Sequence, residues 1–199
     1  YTTTCTFVDD GTYTVGAKVR DEDLDVVSDT VSVVVENVAP TVVITGSGSG
    51  LAEGDAYTLD LSASDPGDDS VAQWIINWGD GEVKTVESAT NPQSVNHTYT
   101  DDGDFDVSAL AVDEDGTFPA GNTGAVTVTN VAPALTLEGP AQVEEGPYTL
   151  TLSTSDPGDD TIDTWSIDWG DGVFVTLSGG PPTTTHVFDG PGTYWINAT

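Results

Sequence analysis

Apolar and polar positions alternate along most of this chain. Trp74, Ile76 and Trp78 share one face of a run, and Phe105, Val107 and Ala109 share one face of another. A period of two is the mark of a strand with one face buried. Runs of this kind predict strands over 41–45, 57–63, 72–78, 83–88, 94–99, 104–112 and 124–130. Gly79-Asp80-Gly81 separates two of them and signals a tight hairpin. Seven short strands, spaced by turns every 8–12 residues or so, predict an all-β sandwich of the immunoglobulin-like class. Thr, Val, Gly and Asp dominate, Met is absent and helix formers are scarce, which agrees with strands and turns.

The pattern repeats. Asn37-Val38-Ala39-Pro40 returns as Asn130-Val131-Ala132-Pro133, 93 positions later. Asp65-Pro66-Gly67-Asp68-Asp69 returns as Asp156-Pro157-Gly158-Asp159-Asp160, and Trp78-Gly79-Asp80-Gly81 as Trp169-Gly170-Asp171-Gly172, both 91 later. Blocks in one order at a near-constant offset define a tandem module of about 91–93 residues. The opening of the chain, from Thr2 through Phe7 to Gly11-Thr12-Tyr13, matches Thr183 through Phe188 to Gly192-Thr193-Tyr194, 181 positions on. The expected organisation is therefore the C-terminal part of a first module (1–40), a complete module (41–133) and the N-terminal part of a third (134–199). Partial modules leave open sheet edges, to be completed by following sequence in a longer tandem array or by a neighbouring chain through strand addition. Tyr1 in place of an initiator Met suggests a processed chain or a window on a longer one. Val-Ala-Pro at each junction makes a short stiff connector, since Pro fixes its own φ and pushes its neighbour to extended geometry.

Charge narrows the function. The chain holds 34 acidic and 3 basic residues, a formal net charge of −31. It offers no basic patch to nucleic acid, and an anionic membrane surface repels it. No apolar run of about 18 residues suggests a membrane span. The acids sit in turns between alternating runs, so disorder is rejected; hard, oxygen-seeking cations are the physical match for clustered Asp. Cys5, the one cysteine, cannot form an internal disulfide, and no base lies near it in sequence.

The run from Gln73 to Gly81, with Trp74, Ile76 and Trp78 before Gly-Asp-Gly, resembles the signature of the polycystic-kidney-disease (PKD) domain. His97-Thr98-Tyr99, Gly103, Phe105, Val107 and Val112-Asp113 resemble the strands that follow it, and Trp165–Gly172, His186, Phe188, Gly192, Tyr194 and Ile196 repeat the pattern. Two departures stand out: Cys5 occupies the place of the repeated His, and the signature's fourth residue is Trp where the family has Phe. The resemblance implies a β-sandwich spacer, adhesion or surface module of secreted bacterial or archaeal proteins, some of which bind Ca²⁺ near the linker. In family terms the linker Asn, the Asp-Pro loop and the Asp after the long strand are the positions that matter.

The candidate ligands follow. Asp65, Asp68 and Asp69 flank a Pro-Gly turn, which folds carboxylates toward one point. Asp113 and Asp115 supply a second loop, expected at the same pole as Asn37, with Glu53 reaching it. The third-module set is Asn130, Glu145, Asp156, Asp159 and Asp160, with Asp21 and Asp23 as the corresponding post-strand acids of the first. Ca²⁺ takes 6–8 oxygens from such flexible loops. Glycoside hydrolysis is set aside, because it needs two acids across a cleft and one of them in an apolar pocket. His97 and His186 occur once per module, too few for zinc, and are read as hydrogen-bonded at a strand edge. Trp74, Trp78, Trp165 and Trp169 are read as core, and Trp195, which has no counterpart, as a surface residue. Asn96-His97-Thr98 and Asn197-Ala198-Thr199 match glycosylation acceptors, a weak signal.

The expected function is non-catalytic: an extracellular or cell-surface repeat protein, a Ca²⁺-stiffened fibre, stalk or filament with copies of itself as partners, head to tail. The alternative is an accessory module of a secreted hydrolase or adhesin that holds polysaccharide or another protein.

Overall fold

The structure is a computed structural model that describes residues 2–47, 50–87, 89–179 and 183–199. Among these residues it contains strands and turns and no helix, so no helix is long and apolar enough to cross a membrane. In chain order the strands are β1 (Gly11–Arg20), β2 (Val26–Val35), β3 (Thr41–Ser47), β4 (Leu51–Ala52), β5 (Ala56–Ser64), β6 (Gln73–Asn77), β7 (Val83–Glu87), β8 (Gln93–Thr98), β9 (Gly103–Val112), β10 (Thr117–Pro119) and β11 (Gly124–Thr129). They continue as β12 (Ala134–Glu138), β13 (Pro147–Ser155), β14 (Thr164–Asp168), β15 (Phe174–Ser178), β16 (Thr183–Val187) and β17 (Asn197–Ala198). Each of the seven strands expected in 41–133 is present, although Ser88, placed at the end of one, lies outside the described residues. The short β4 and β10 had no alternation long enough to announce them.

The chain divides into two compact units. The first comprises Tyr1–Ser49, Ala56–His97 and Asp104–Thr127; the second comprises Gly50–Asp55, Thr98–Gly103 and Val128–Thr199.

In the first unit β3, β5 and β8 form one sheet in that order, and β11, β9, β6 and β7 run through another, with β10 on β9. Period-two patterning aims their apolar faces inward: Leu59 and Leu61 of β5, Trp74 and Ile76 of β6, and Val107, Ala109 and Ala111 of β9 are all buried. Tyr57 meets Trp78 edge-on at 6.2 Å, and the Trp74 indole donates to the Thr90 carbonyl at 3.0 Å. Gly79 has φ +88°, and a Cβ there would lie 2.9 Å from the Asp106 backbone. Only glycine passes both constraints, which explains that position in the hairpin. β1 and β2 pair antiparallel from Gly11↔Val35 to Arg20↔Val26. One face of this hairpin carries Val15, Val19, Val27 and Val31, all exposed.

In the second unit β12, β13 and β16 form one sheet and β15, β14 and β17 another. Leu150, Leu152, Trp165, Ile167 and Trp169 are its core, with Leu135, Leu137, Tyr148, Phe188 and Ile196 packed around them. The four repeated tryptophans are thus core in both units, as the alternation predicts, and Trp195 is 80% exposed. β4 also belongs here, pairing parallel with the end of β11 through Leu51↔Val128 and Ala52↔Thr129.

Candidate metal centre

Glu53 is the one buried charged side chain among the described residues, only 2% exposed. It follows β4 directly. Its amide donates to the Thr129 carbonyl (3.1 Å), and the Gly54 amide donates to the Tyr99 carbonyl (2.9 Å), which pins the loop on both sides. Its Oε1 accepts the Val131 amide at 2.6 Å, whereas Oε2 is buried with no hydrogen-bond partner. The approach to that oxygen is kept open by Gly158, where a Cβ would lie 2.6 Å from Oε2.

The Asp-Pro turn supplies the neighbours. Asp156 Oδ1 accepts the Gly158 amide at 2.8 Å, the local bond that closes the turn. Its Oδ2 is buried and unpartnered. Asp160 Oδ2 accepts the Asn130 side-chain amide at 2.9 Å. Asp159 takes a structural part, since its amide donates to the Thr100 carbonyl (2.7 Å) and its Oδ2 accepts the Thr100 hydroxyl (3.0 Å). Carboxylate oxygens of Glu53, Asp156 and Asp160 all lie within 4.8 Å of one another, as do those of Glu53, Asp101 and Asp102. At that separation two carboxylates repel by roughly 3 kcal/mol at an effective dielectric of about 20. The second unit holds no lysine or arginine, since Lys18, Arg20 and Lys84 all belong to the first. A buried, unpaired carboxylate oxygen among like charges is costly, a cost that protonation, a water or an oxygen-bound cation would each relieve.

The first unit builds the same turn. Asp65 Oδ1 accepts the Gly67 amide at 2.6 Å, and its Oδ2 is buried and unpartnered, as is Asp69 Oδ1. The Asp68 amide donates to the Val8 carbonyl at 2.7 Å, the counterpart of Asp159 and Thr100. Desolvation first, then the charges of Asp115, Asp65, Glu114 and Asp9, push the Asp69 carboxyl up to about 6. Asp115 is also raised, by desolvation and then by Asp10, Asp113, Glu114 and Asp9. Asp113 Oδ1 accepts the Asp115 and Gly116 amides at 2.9 and 3.0 Å and shapes its loop.

The expected ligands therefore sort into two clusters, with corrections. Asp65, Asp69 and Asp115 come together, with Asp113 and Asp68 as their frame. Glu53 belongs to the second unit: β4 runs parallel to the end of β11, which carries Glu53 to Val131 and the Asp156 turn. Glu145 is exposed and stands outside the triads of Glu53. Asn37 is exposed, while Asn130 orients Asp160. Asp21 Oδ1 accepts the Asp23 and Asp25 amides (3.1 and 2.9 Å) in an exposed turn, a local role that Asp23 shares as donor. Sequence reasoning missed Asp101-Asp102 and their counterparts Asp9-Asp10, although both pairs precede a glycine at matching positions, a repeat that could have found them.

The histidines are structural, as read. His97 Nε2 lies 2.6 Å from Asp80 Oδ2 and its ring stacks on Trp78 at 4.6 Å. His186 repeats this with Asp171 at 2.6 Å and Trp169 at 4.7 Å.

The PKD domain family matches residues 37–128 and again 130–199. No curated protein matches the sequence. Among solved structures, the PKD domain of an M14-like peptidase from Thermoplasmatales archaeon SCGC AB-540-F20 is 24% identical, over 47% of this chain and 98% of that one, with a TM-score of 0.40. A tetra-tandem repeat from the extending region of a large adhesion protein is 19% identical over 89% of this chain and 48% of that one, TM-score 0.40. Fibronectin(III)-like modules of Clostridium thermocellum CbhA are 19% identical over 73% and 78%, TM-score 0.34. PKD domains are in general non-catalytic structural or binding modules, typical of extracellular and surface proteins, and no catalytic family is indicated. With two matches that together take in more than half of its length, the chain belongs to the PKD domain family and carries that domain in tandem.

Proposed function

We propose that this chain is part of an extracellular structural repeat protein whose modules, 1–40, 41–133 and 134–199, are stiffened by Ca²⁺ into a fibre, stalk or surface filament. The observation that carries the reading is the buried Glu53 carboxylate, with one oxygen unpartnered beside Asp156 and Asp160. The donors are all oxygens, from loops, which is the chemistry of Ca²⁺. An ion held there would tie the 50–55 loop to the Asp156 turn and lower the charge of a very anionic chain. Low affinity suffices where Ca²⁺ is millimolar, outside the cell. Partners are copies of itself, in a longer tandem array or head to tail, and the exposed valine face of the β1–β2 hairpin supports such an association. Calorimetric melting of the chain with Ca²⁺ and with chelator tests the reading. A ligand at a hundredfold its Kd adds about 2.7 kcal/mol, or roughly 5–10 °C for a chain of this size. An unchanged melting temperature would refute it.

One observation favours the alternative of an accessory module: Trp195 and Phe174 are 80% and 73% exposed. Such aromatics offer a stacking surface to polysaccharide. Affinity electrophoresis in polysaccharide gels, with Trp195→Ala as the control, decides it: retardation that this substitution abolishes supports the alternative.

A further inference from the structure

The two carboxylate triads share one residue, Glu53. Three oxygens within 4.8 Å of one another fit around a single Ca²⁺, whose ligand distances of about 2.3–2.6 Å set the largest ligand separation near 5 Å. No four of the five residues form so tight a set among the described residues. One ion therefore cannot draw on Asp101, Asp102, Asp156 and Asp160 together with Glu53 as they stand. Charge points the same way: one divalent ion would leave the five carboxylates at −3, and two would leave them at −1.

We propose that this cluster holds two divalent cations with Glu53 as their common ligand, an inner one with Asp156 and Asp160 and an outer one with Asp101 and Asp102. The proposal rests on the Ca²⁺ reading above and adds a second ion and a bridge. The burial of Glu53, with Oε2 unpartnered, is the independent sign of a ligand. The two ions differ in setting. Asp101 and Asp102 are both exposed, while Asp156 is half-buried with a buried free oxygen. The outer ion is the weaker and leaves first as Ca²⁺ falls, releasing the 98–103 segment before the Asp156 turn. Because both ions use Glu53, filling the inner site positions a ligand for the outer one.

Equilibrium dialysis of the whole chain against radioactive Ca²⁺ counts the ions, and far-UV circular dichroism checks that each variant is folded. Asp101→Asn/Asp102→Asn should bind one ion fewer than wild type, and Asp156→Asn/Asp160→Asn one fewer. Glu53→Gln should bind two fewer. Ions held by the first unit enter every count equally and cancel. If Glu53→Gln fails to fold, the quadruple Asp→Asn variant must lose two. Loss of a single ion from Glu53→Gln or from the quadruple variant, with none lost from Asp101→Asn/Asp102→Asn, leaves one Ca²⁺ and overturns the two-ion proposal alone. A wild-type chain that binds no Ca²⁺ at millimolar concentration overturns both readings.

Discussion

Two kinds of aspartate recur in this molecule, and they use the same turn to opposite ends. In the hairpins, Asp80 and Asp171 each accept a backbone amide with Oδ1, from Glu82 at 2.9 Å and Val173 at 3.0 Å, and meet the ring of a histidine with Oδ2. In the Asp-Pro turns, Asp65 and Asp156 accept a backbone amide with Oδ1 in the same way, but Oδ2 is buried and unpartnered. The first kind is complete within the fold. The second has a closed turn and an open valence. A side chain that serves folding is usually satisfied by the chain itself; one that remains unsatisfied after folding, in both copies of the turn, is what the proposed Ca²⁺ would explain.

The largest effect that would break this contrast is on the hairpin side. Asp80→Ala removes the partner of His97 Nε2, whose side chain is 9% exposed. A polar group so buried costs about 1–3 kcal/mol when its partner is lost. The loss should be the same in Ca²⁺ and in chelator, read as a fall in melting temperature; a loss that depends on Ca²⁺ would erase the distinction between the two aspartates. Asp156→Asn probes the other side with an effect that changes sign between the two conditions. In chelator it removes a charge within 4.8 Å of Glu53 and should leave stability equal or higher, whereas in Ca²⁺ it should forfeit the ion's contribution. Destabilisation of equal size under both conditions would make Asp156 a purely structural residue.

The smallest expected effect is the pH profile of ion-depleted protein. Asp69 is raised to about 6, so between about 4, the unfolded value, and 6 the folded chain holds a proton that the unfolded chain has released. Its contribution to stability therefore falls as pH rises through that window. Asp171 runs the other way. The His186 hydrogen bond lowers its carboxyl, so its contribution is present above about 4 and lost as pH falls below. Melting temperature should peak at mildly acid pH in depleted protein, and Ca²⁺ should abolish the decline toward neutrality. A flat profile from about pH 4 to 6.5 would mean that the acids of the first unit do not sense one another.

Much of the fold was legible because its signals are local. β5, β6 and β9 follow from period-two runs whose apolar members, Leu59, Trp74, Ile76 and Val107 among them, need a common buried face. The Gly79 turn follows from a backbone that tolerates no Cβ. The same locality let the Asp-Pro turns be identified as candidate ligands, since each turn is closed by its own aspartate two residues before the glycine.

What the sequence determined by itself is whatever a few neighbouring residues decide: the strands, the tight turns, the module length and the acidic character of each loop. What only the tertiary structure decided is which loops meet. Glu53 shows the difference most plainly. Nothing near it in the chain reveals that β4 pairs parallel with the end of β11, and that pairing takes its carboxylate to Val131 and Asp156. The 98–103 segment likewise reaches Glu53 through contacts far apart in sequence. Periodicity reports the face on which a side chain lies. Its partners across loops are set by long-range packing, which leaves no local trace in the chain.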